Sequence, residues 1–203
     1  MNMVMIAAAG CGVFVGIAGG DVVSIDDAVF GDDSITVDTD QGLEFLDLTL
    51  STSRTVNQVV TQLGEGGEFE GFRRASAEEV LTMVANAGFE IPELGQTVTM
   101  PGTPAFTEFV TMTGIVGVNG GIRFSRGLVT DSPAVGRSYF VALEDYIGVN
   151  QHDIVTTIIS AGNNDASGSI GHWLVRDSVP APGGLALLGV GGLIGVRARR
   201  RVA

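Results

Sequence analysis

An α+β fold, a single compact domain with an antiparallel sheet and two adjacent helices, is predicted by three observations on this sequence. Two capped amphipathic stretches stand close together near the front, short β-rich runs flank them, and clusters of Gly, Pro, Asn and Asp ("PGTP", "VNGG", "AGNNDASG") separate the runs. The order differs from the strand-helix alternation of a parallel βαβ fold. A length of 203 residues leaves room for one ordinary domain with appendages. The boundaries read are a signal segment over residues 1–20, the α+β body over residues 21–178 and a terminal segment over residues 179–203.

Taken in order, residues 34–37 (SITV) and 43–48 (LEFLDL) read as strands from their β-branched and alternating apolar content. Thr55-Val56-Asn57-Gln58 is a capping box, in which Thr55 can cap the first turn and Gln58 can reach back. Val56, Val59, Val60 and Leu63 then recur at helical spacing until Gly64. Ser76-Ala77-Glu78-Glu79 repeats the device, with Val80, Leu81, Val84 and Ala87 on one side and Gly88 as the stop. Its glutamates complement the helix dipole. Further strands are read over residues 106–118, 122–124, 139–143 and 171–175, and long loops over 88–104 and 162–169. No internal repeat is visible.

Charge is divided sharply. All 23 acidic residues lie between Asp21 and Asp177, with seven of the 11 basic ones, while Arg197, Arg199, Arg200 and Arg201 close the chain. A body carrying 7 − 23 = −16 repels a phosphate backbone, so nucleic acid is excluded as a partner. Every basic residue is Arg, and Cys11 is the only cysteine, so an internal disulfide, a Cys-x-x-Cys redox pair and a Cys-rich zinc site are excluded too.

The two ends read as export signals. Residues 1–18 are apolar or small apart from Asn2, and Ala18-Gly19-Gly20 offers small residues before Asp21, the layout of a secretory signal peptide. No Lys or Arg precedes the apolar run. A buried N-terminal strand or helix shares this composition, and Ala8-Ala9-Gly10-Cys11 faintly matches a lipoprotein box. At the other end, 14 uncharged residues over 183–196, six of them Gly, would span about 21 Å as a helix, short of the roughly 30 Å of a bilayer core. The arginines that follow hold that end on the cytoplasmic side, which leaves the body outside.

Val179-Pro180-Ala181-Pro182, the Gly/Leu-rich run and the cluster of Arg197, Arg199, Arg200 and Arg201 together resemble the PEP-CTERM sorting signal of bacterial exported proteins. The resemblance implies recognition of the proline motif by exosortase, a membrane-embedded transpeptidase-like enzyme, and removal of a transient membrane anchor. Ala181 stands where that family usually has glutamate. A plain tail anchor, with Gly191-x-x-x-Gly195 as a helix-packing motif, is the alternative.

The body carries a second resemblance. Gly42-Leu43-Glu44-Phe45, then Phe72-Arg73-Arg74-Ala75-Ser76 with Glu79, then Trp173-Leu174-Val175-Arg176 resemble the blocks of the collagen-like-protein C-terminal (Lcl) domain. Phe45 and Phe72 stand for tryptophans there, and Arg74-Ala75 for Leu-Pro. The resemblance implies a fold of the C-type lectin-like class, in which first and last strands pair, and relatives that bind polysaccharide. The sugar-binding motif of the C-type lectins is absent, as is the cysteine pair of the related formylglycine-generating enzymes.

Chemistry is sparse. His152 and His172 are the only histidines; His172 in the last strand reads as structural, and His152-Asp153 as a solvated or capping pair. Calcium is the one cofactor that Asp26-Asp27, Asp32-Asp33, Asp38-Thr39-Asp40 or Asn163-Asn164-Asp165 could supply with oxygens, but none has EF-hand spacing, and a solvated acidic surface accounts for them. Arg73 and Arg74 read as structural salt-bridge formers, with a grip on acidic sugars as the alternative. The expectation is an exported, non-enzymatic surface or matrix protein, sorted by exosortase and structural or adhesive within extracellular polysaccharide. A surface-displayed hydrolase is the rival from another class, and its sign would be His152 or His172 in a cleft beside a Ser and a carboxylate.

Overall fold

The computed structural model describes residues 22–148 and 151–178 and is of the α+β class. Both capping boxes close as read. In α1 (Val56–Thr61) the Thr55 hydroxyl accepts from the Gln58 amide at 3.1 Å, and the Thr55 amide donates to Gln58 Oε1 at 2.8 Å. In α2 (Ala77–Asn86) Ser76 and Glu79 exchange the equivalent bonds at 3.2 and 2.8 Å. Val80, Leu81 and Val84 are buried along α2, and Val56 and Val59 along α1. Val60 departs from the expected face and is 50% exposed, because α1 stops at Thr61 and buries only a single side.

A third helix overturns part of the strand assignment. Residues 106–118 hold α3 (Pro104–Met112), followed by the short strand β6 (Gly117–Asn119). Thr103 caps it, accepting from the Phe106 amide at 3.1 Å, and Pro104 at the first position is pre-set for helical φ. Phe106, Phe109 and Val110 are buried at helical spacing. The threonines and valines that favour a strand in isolation yield to that burial, since local propensity is a weak prior against tertiary packing. Likewise residues 88–104 are not all loop: β5 (Thr97–Pro101) is an edge strand, with a proline where an edge tolerates one.

Two sheets make up the rest. The first has the order β1 (Val22–Asp27), β2 (Gly31–Asp38), β3 (Leu43–Leu46), β12 (Leu174–Asp177), β4 (Arg73–Arg74). The second runs β11 (Gly171–His172), β7 (Ile122–Leu128), β8 (Arg137–Tyr146), β9 (His152–Thr156), β5, with β6 pairing β7 and β10 (Ser160–Gly162) pairing β8. The expected pairing with the last strand is present over residues 43–45 of the segment 43–48, with Phe45 opposite Val175, Glu44 opposite Arg176 and Leu43 opposite Asp177, antiparallel; the strand ends at Leu46 and Leu48–Ser51 form a 3-10 helix. The segment 171–175, read as one strand, divides between the sheets, for Gly171 and His172 run parallel to Gly127 and Leu128.

Side chains of β3 and β12 alternate between two cores. Leu43, Phe45, Trp173 and Val175 enter the main core with α2, α3 and the second sheet. Leu46 and Leu174 point the other way, into a smaller core with Val59, Phe69 and Phe72. Strands buried on both faces lose the apolar-polar alternation of a half-exposed sheet. Trp173 is fully buried where the chain changes sheets. Its amide donates to Leu128 O at 3.1 Å, its carbonyl accepts from the Ala75 amide at 2.8 Å, and its indole N–H donates to Val141 O at 3.1 Å. A Cβ on Gly127 would come within 2.8 Å of Trp173 Nε1 and 2.5 Å of Leu48 Cδ2. Glycine there is therefore what lets the indole lie against β7.

Two substitutions test this crossing in denaturant unfolding of the full chain. Gly127→Ala is expected to cost about 1–3 kcal/mol through overpacking, and Trp173→Ala about 3–5 kcal/mol through loss of the largest buried side chain. A Gly127→Ala variant as stable as wild type would show that the indole has room to move.

Candidate functional site

The sorting-motif residues Val179, Pro180, Ala181 and Pro182, the cluster of Arg197, Arg199, Arg200 and Arg201, and the signal segment 1–20 all lie outside the described residues. Among the described residues no helix is long and apolar enough to cross a membrane.

Most of the other singled-out residues are structural. The Arg73 guanidinium grips both Glu79 oxygens at 2.9 and 2.6 Å, which holds the Glu79 carboxyl below its ordinary range despite partial burial. Arg74 donates to Val129 O and, at 3.2 Å, to the Ser138 hydroxyl. Arg73 thus forms the expected salt bridge on the surface, while Arg74 is structural through a carbonyl and a hydroxyl and not through a salt bridge. His172 is 1% exposed, with Nε2 at 2.9 Å from Arg54 O. A carbonyl only accepts, so Nε2 carries the proton and Nδ1 is left bare and buried. Burial, reinforced by the nearby Arg74 and Arg54 charges, pushes its pKa down to about 4 against the Arg54 O bond, so the ring is neutral at physiological pH.

The acidic pairs are not simply a solvated surface. Asp38 is fully buried, and its oxygens accept from Asn86 Nδ2 at 3.1 and 3.0 Å and from Gln41 Nε2 at 2.6 Å, tying the end of α2 to the first sheet. Asp27 closes its own hairpin through the amides of Val29 and Phe30 and pairs with Arg176 at 2.7 Å. Burial works to raise the Asp27 carboxyl, but the Arg176 bond and those amides outweigh it and hold the carboxyl low. Among the described residues no group of three or more His, Cys, Asp or Glu side chains gathers as a metal site.

Of the two readings of His152-Asp153, solvated or capping, Asp153 takes the capping one and is not solvated. Asp153 is 1% exposed and stands directly across β8–β9 from Asp145, itself 4% exposed. The folding reason is the turn into α3. Gly102 passes so close to Gln151 that a Cβ would sit 2.8 Å from its Cβ, and this brings the Thr103 amide to Asp153 Oδ2 at 3.0 Å. Asp153 thus caps α3 from another strand. Asp145 is held by Arg123 at 2.8 Å and by the Thr107 hydroxyl at 3.0 Å. Asp153 Oδ1 is buried with no partner.

Two clefts share Thr103 in their lining. One, of about 300 Å³, is lined by Thr103, Thr107, Glu108, Asp145, Tyr146 and Gln151; the Tyr146 ring stacks on His152 at 3.9 Å between centroids. The other, of about 350 Å³, is lined by Phe89, Glu90, Met100, Thr103, Ala105 and Asp153. Burial pushes the Asp153 carboxyl up to about 6; the facing Asp145 charge adds to this, while the Thr103 amide and the His152 charge oppose it. The arrangement can therefore hold a cationic or hydroxylic ligand group, or exchange a proton near pH 6. No sequence signal marks it, because Asp145, Asp153 and Thr103 meet only through sheet register and the placing of α3.

Known protein families, curated proteins and solved structures provide no match to the chain.

Asp153 and His172 impose opposite pH dependences on stability. The folded Asp153 holds a proton that its unfolded counterpart loses near 3.8, so its contribution is present below that pH and lost as pH rises through about 6. His172 acts in reverse: the unfolded ring takes a proton at about 6.5 and the folded one only near 4, so its contribution is lost as pH falls through that window. The expected result for Asp153→Asn is a melting temperature that rises relative to wild type between pH 4 and pH 7. A constant difference across that range would show that Asp153 is ionised in the fold throughout.

Proposed function

We propose that this protein is an exported cell-surface or extracellular-matrix protein of the C-type lectin-like class, delivered by an exosortase-type system and adhesive toward extracellular polysaccharide. The observation that carries the reading is the terminal arrangement of Val179-Pro180-Ala181-Pro182, an apolar glycine-rich run and four arginines. Such a segment is too short to anchor strongly, while its arginines orient it and its prolines keep the approach extended. That combination suits an anchor that is later removed.

Features of the body support the reading. Val22, Asp38, Leu43 and Asp177 stand on one row across the first sheet. The chain that precedes Val22 and the chain that follows Ser178 thus join the body at the same end, about 14 Å apart over three strand spacings. Signal and tail attached there leave the opposite end directed outward. The pairing of β3 with β12 supports the lectin-like class. An aromatic ring, hydroxyls, an amide and carboxylates around the Thr103 clefts are groups suited to a saccharide.

A surface-displayed hydrolase is the second reading, and the opposed Asp145 and Asp153 are the observation that favours it. Against it, Asp145 is committed to Arg123 and Thr107, and the His172 ring to a backbone carbonyl.

In a host with exosortase, mass spectrometry of the mature protein is expected to show loss of residues beyond about Pro182, with the body recovered from envelope or matrix. Neutral replacements at Arg197, Arg199, Arg200 and Arg201 should misdirect the protein, and replacements at Pro180 and Pro182 should leave the tail attached. An intact terminus at Ala203 would favour a plain tail anchor instead. The purified protein should show no esterase, glycosidase or protease turnover; hydrolysis abolished by Asp153→Asn, His152→Ala or His172→Ala would establish the second reading.

A further inference from the structure

A buried carboxylate oxygen without a hydrogen-bond partner is costly, and Asp153 Oδ1 is one, in a residue 1% exposed that lines an open cleft. The other Asp153 oxygen is taken by the Thr103 amide. Of the cations near by, Arg123 is spent on Asp145, and the His152 charge acts on Asp153 without a hydrogen bond to Oδ1. Glu90 lines the same cleft, and Glu108 and Asp145 line the adjoining one, so anionic groups are supplied from several sides. The walls beside Asp153 are Phe89, Met100, Ala87, Pro101 and Ala105, which are apolar. A largely apolar cleft lined by a buried carboxylate, with further carboxylates around it, is complementary to a primary ammonium group carried on a carbon skeleton.

We propose that the Thr103 clefts form a subsite for a saccharide bearing a free amine, a hexosamine unit of an extracellular polysaccharide, with its ammonium donating to Asp153 Oδ1. The assignment rests on the adhesive reading above and names its ligand class. A saccharide is favoured over a lysine side chain by the second cleft. It shares Thr103 and is lined by Tyr146, Thr107 and Gln151, an aromatic and polar lining suited to a ring with several hydroxyls and not to a single aliphatic stem. An acidic sugar is disfavoured by the same carboxylates that favour the amine. A simple metal ion is disfavoured because, among the described residues, no third ligand side chain joins the two aspartates.

Calorimetric titration of the full-length chain with glucosamine oligomers, N-acetylglucosamine oligomers and unsubstituted glucan oligomers of equal length tests this. Glucosamine oligomers are expected to bind at least about tenfold more tightly than the other two, the worth of one charge-assisted hydrogen bond. Asp153→Asn keeps an acceptor for the Thr103 amide and turns a donor toward the ammonium. It should abolish that preference while near-ultraviolet circular dichroism shows the fold retained. Equal binding of all three oligomers, or a preference that survives Asp153→Asn, overturns the amine assignment and leaves the adhesive reading standing. Binding of none of them overturns both. Trilysine competing as well as the glucosamine oligomers would replace the saccharide by a basic peptide.

Discussion

The chain crosses from one sheet to the other at Trp173, and the two sheets are held in one body by what that residue does. Its amide and carbonyl bond to opposite neighbours, Leu128 of the second sheet and Ala75 beside the first, so its backbone belongs to both. The indole then reaches Val141 O and stacks edge-on against Phe45 at 6.5 Å between centroids. A bulky amphipathic side chain suits the position, because one polar atom must be satisfied while the rest fills the space between layers. The positions around it are constrained in consequence. Gly127 leaves room for the ring, and Gly171 brings its strand so near Leu48 that a Cβ would overlap the Leu48 carbonyl.

Once the sheets are fixed, the acidic surplus has to be accommodated, and the sheet ladders do much of this. Arg176 and Glu44 are cross-strand partners at 2.6 Å, Arg123 and Asp145 likewise at 2.8 Å, and Arg126 reaches Glu144 at 2.6 Å while lying over the Phe124 ring. Opposite charges facing across a ladder stabilise it where like charges would open it. Arginines are few beside the carboxylates, and Arg176 serves Asp27 as well as Glu44. Asp145 facing Asp153 breaks the pattern. A like-charge pair buried at the start of a helix, with one oxygen unpaired, runs against the logic of the remaining fold, and such departures are where binding sites are sought.

The capping boxes at Thr55 and Ser76, the pairing of Leu43–Leu46 with the last strand, the shared burial of Phe45, Trp173 and Val175, and the structural roles of Arg73 and His172 were legible in residue order. Each depends on short-range chemistry or on an alternation that leaves one face to bury. The helix at Pro104–Met112 was not legible in that way, since its threonines and valines suit a strand and only contact with the core selects the helix.

By itself the sequence determined the α+β class, the two capped helices and the charge division between body and tail, and it holds the terminal residue pattern on which the proposed export rests. Tertiary structure alone decided that the segment from Gly171 to Val175 serves two sheets, that Asp38 is an interior tie and that Asp153 lies buried beside Asp145 above the clefts. The physical reason is range. Caps, turns and periodicity act within about one or two helical turns, whereas Asp153 on β9 meets β5 and the start of α3 across 50 residues of chain, and only the assembled core brings these together.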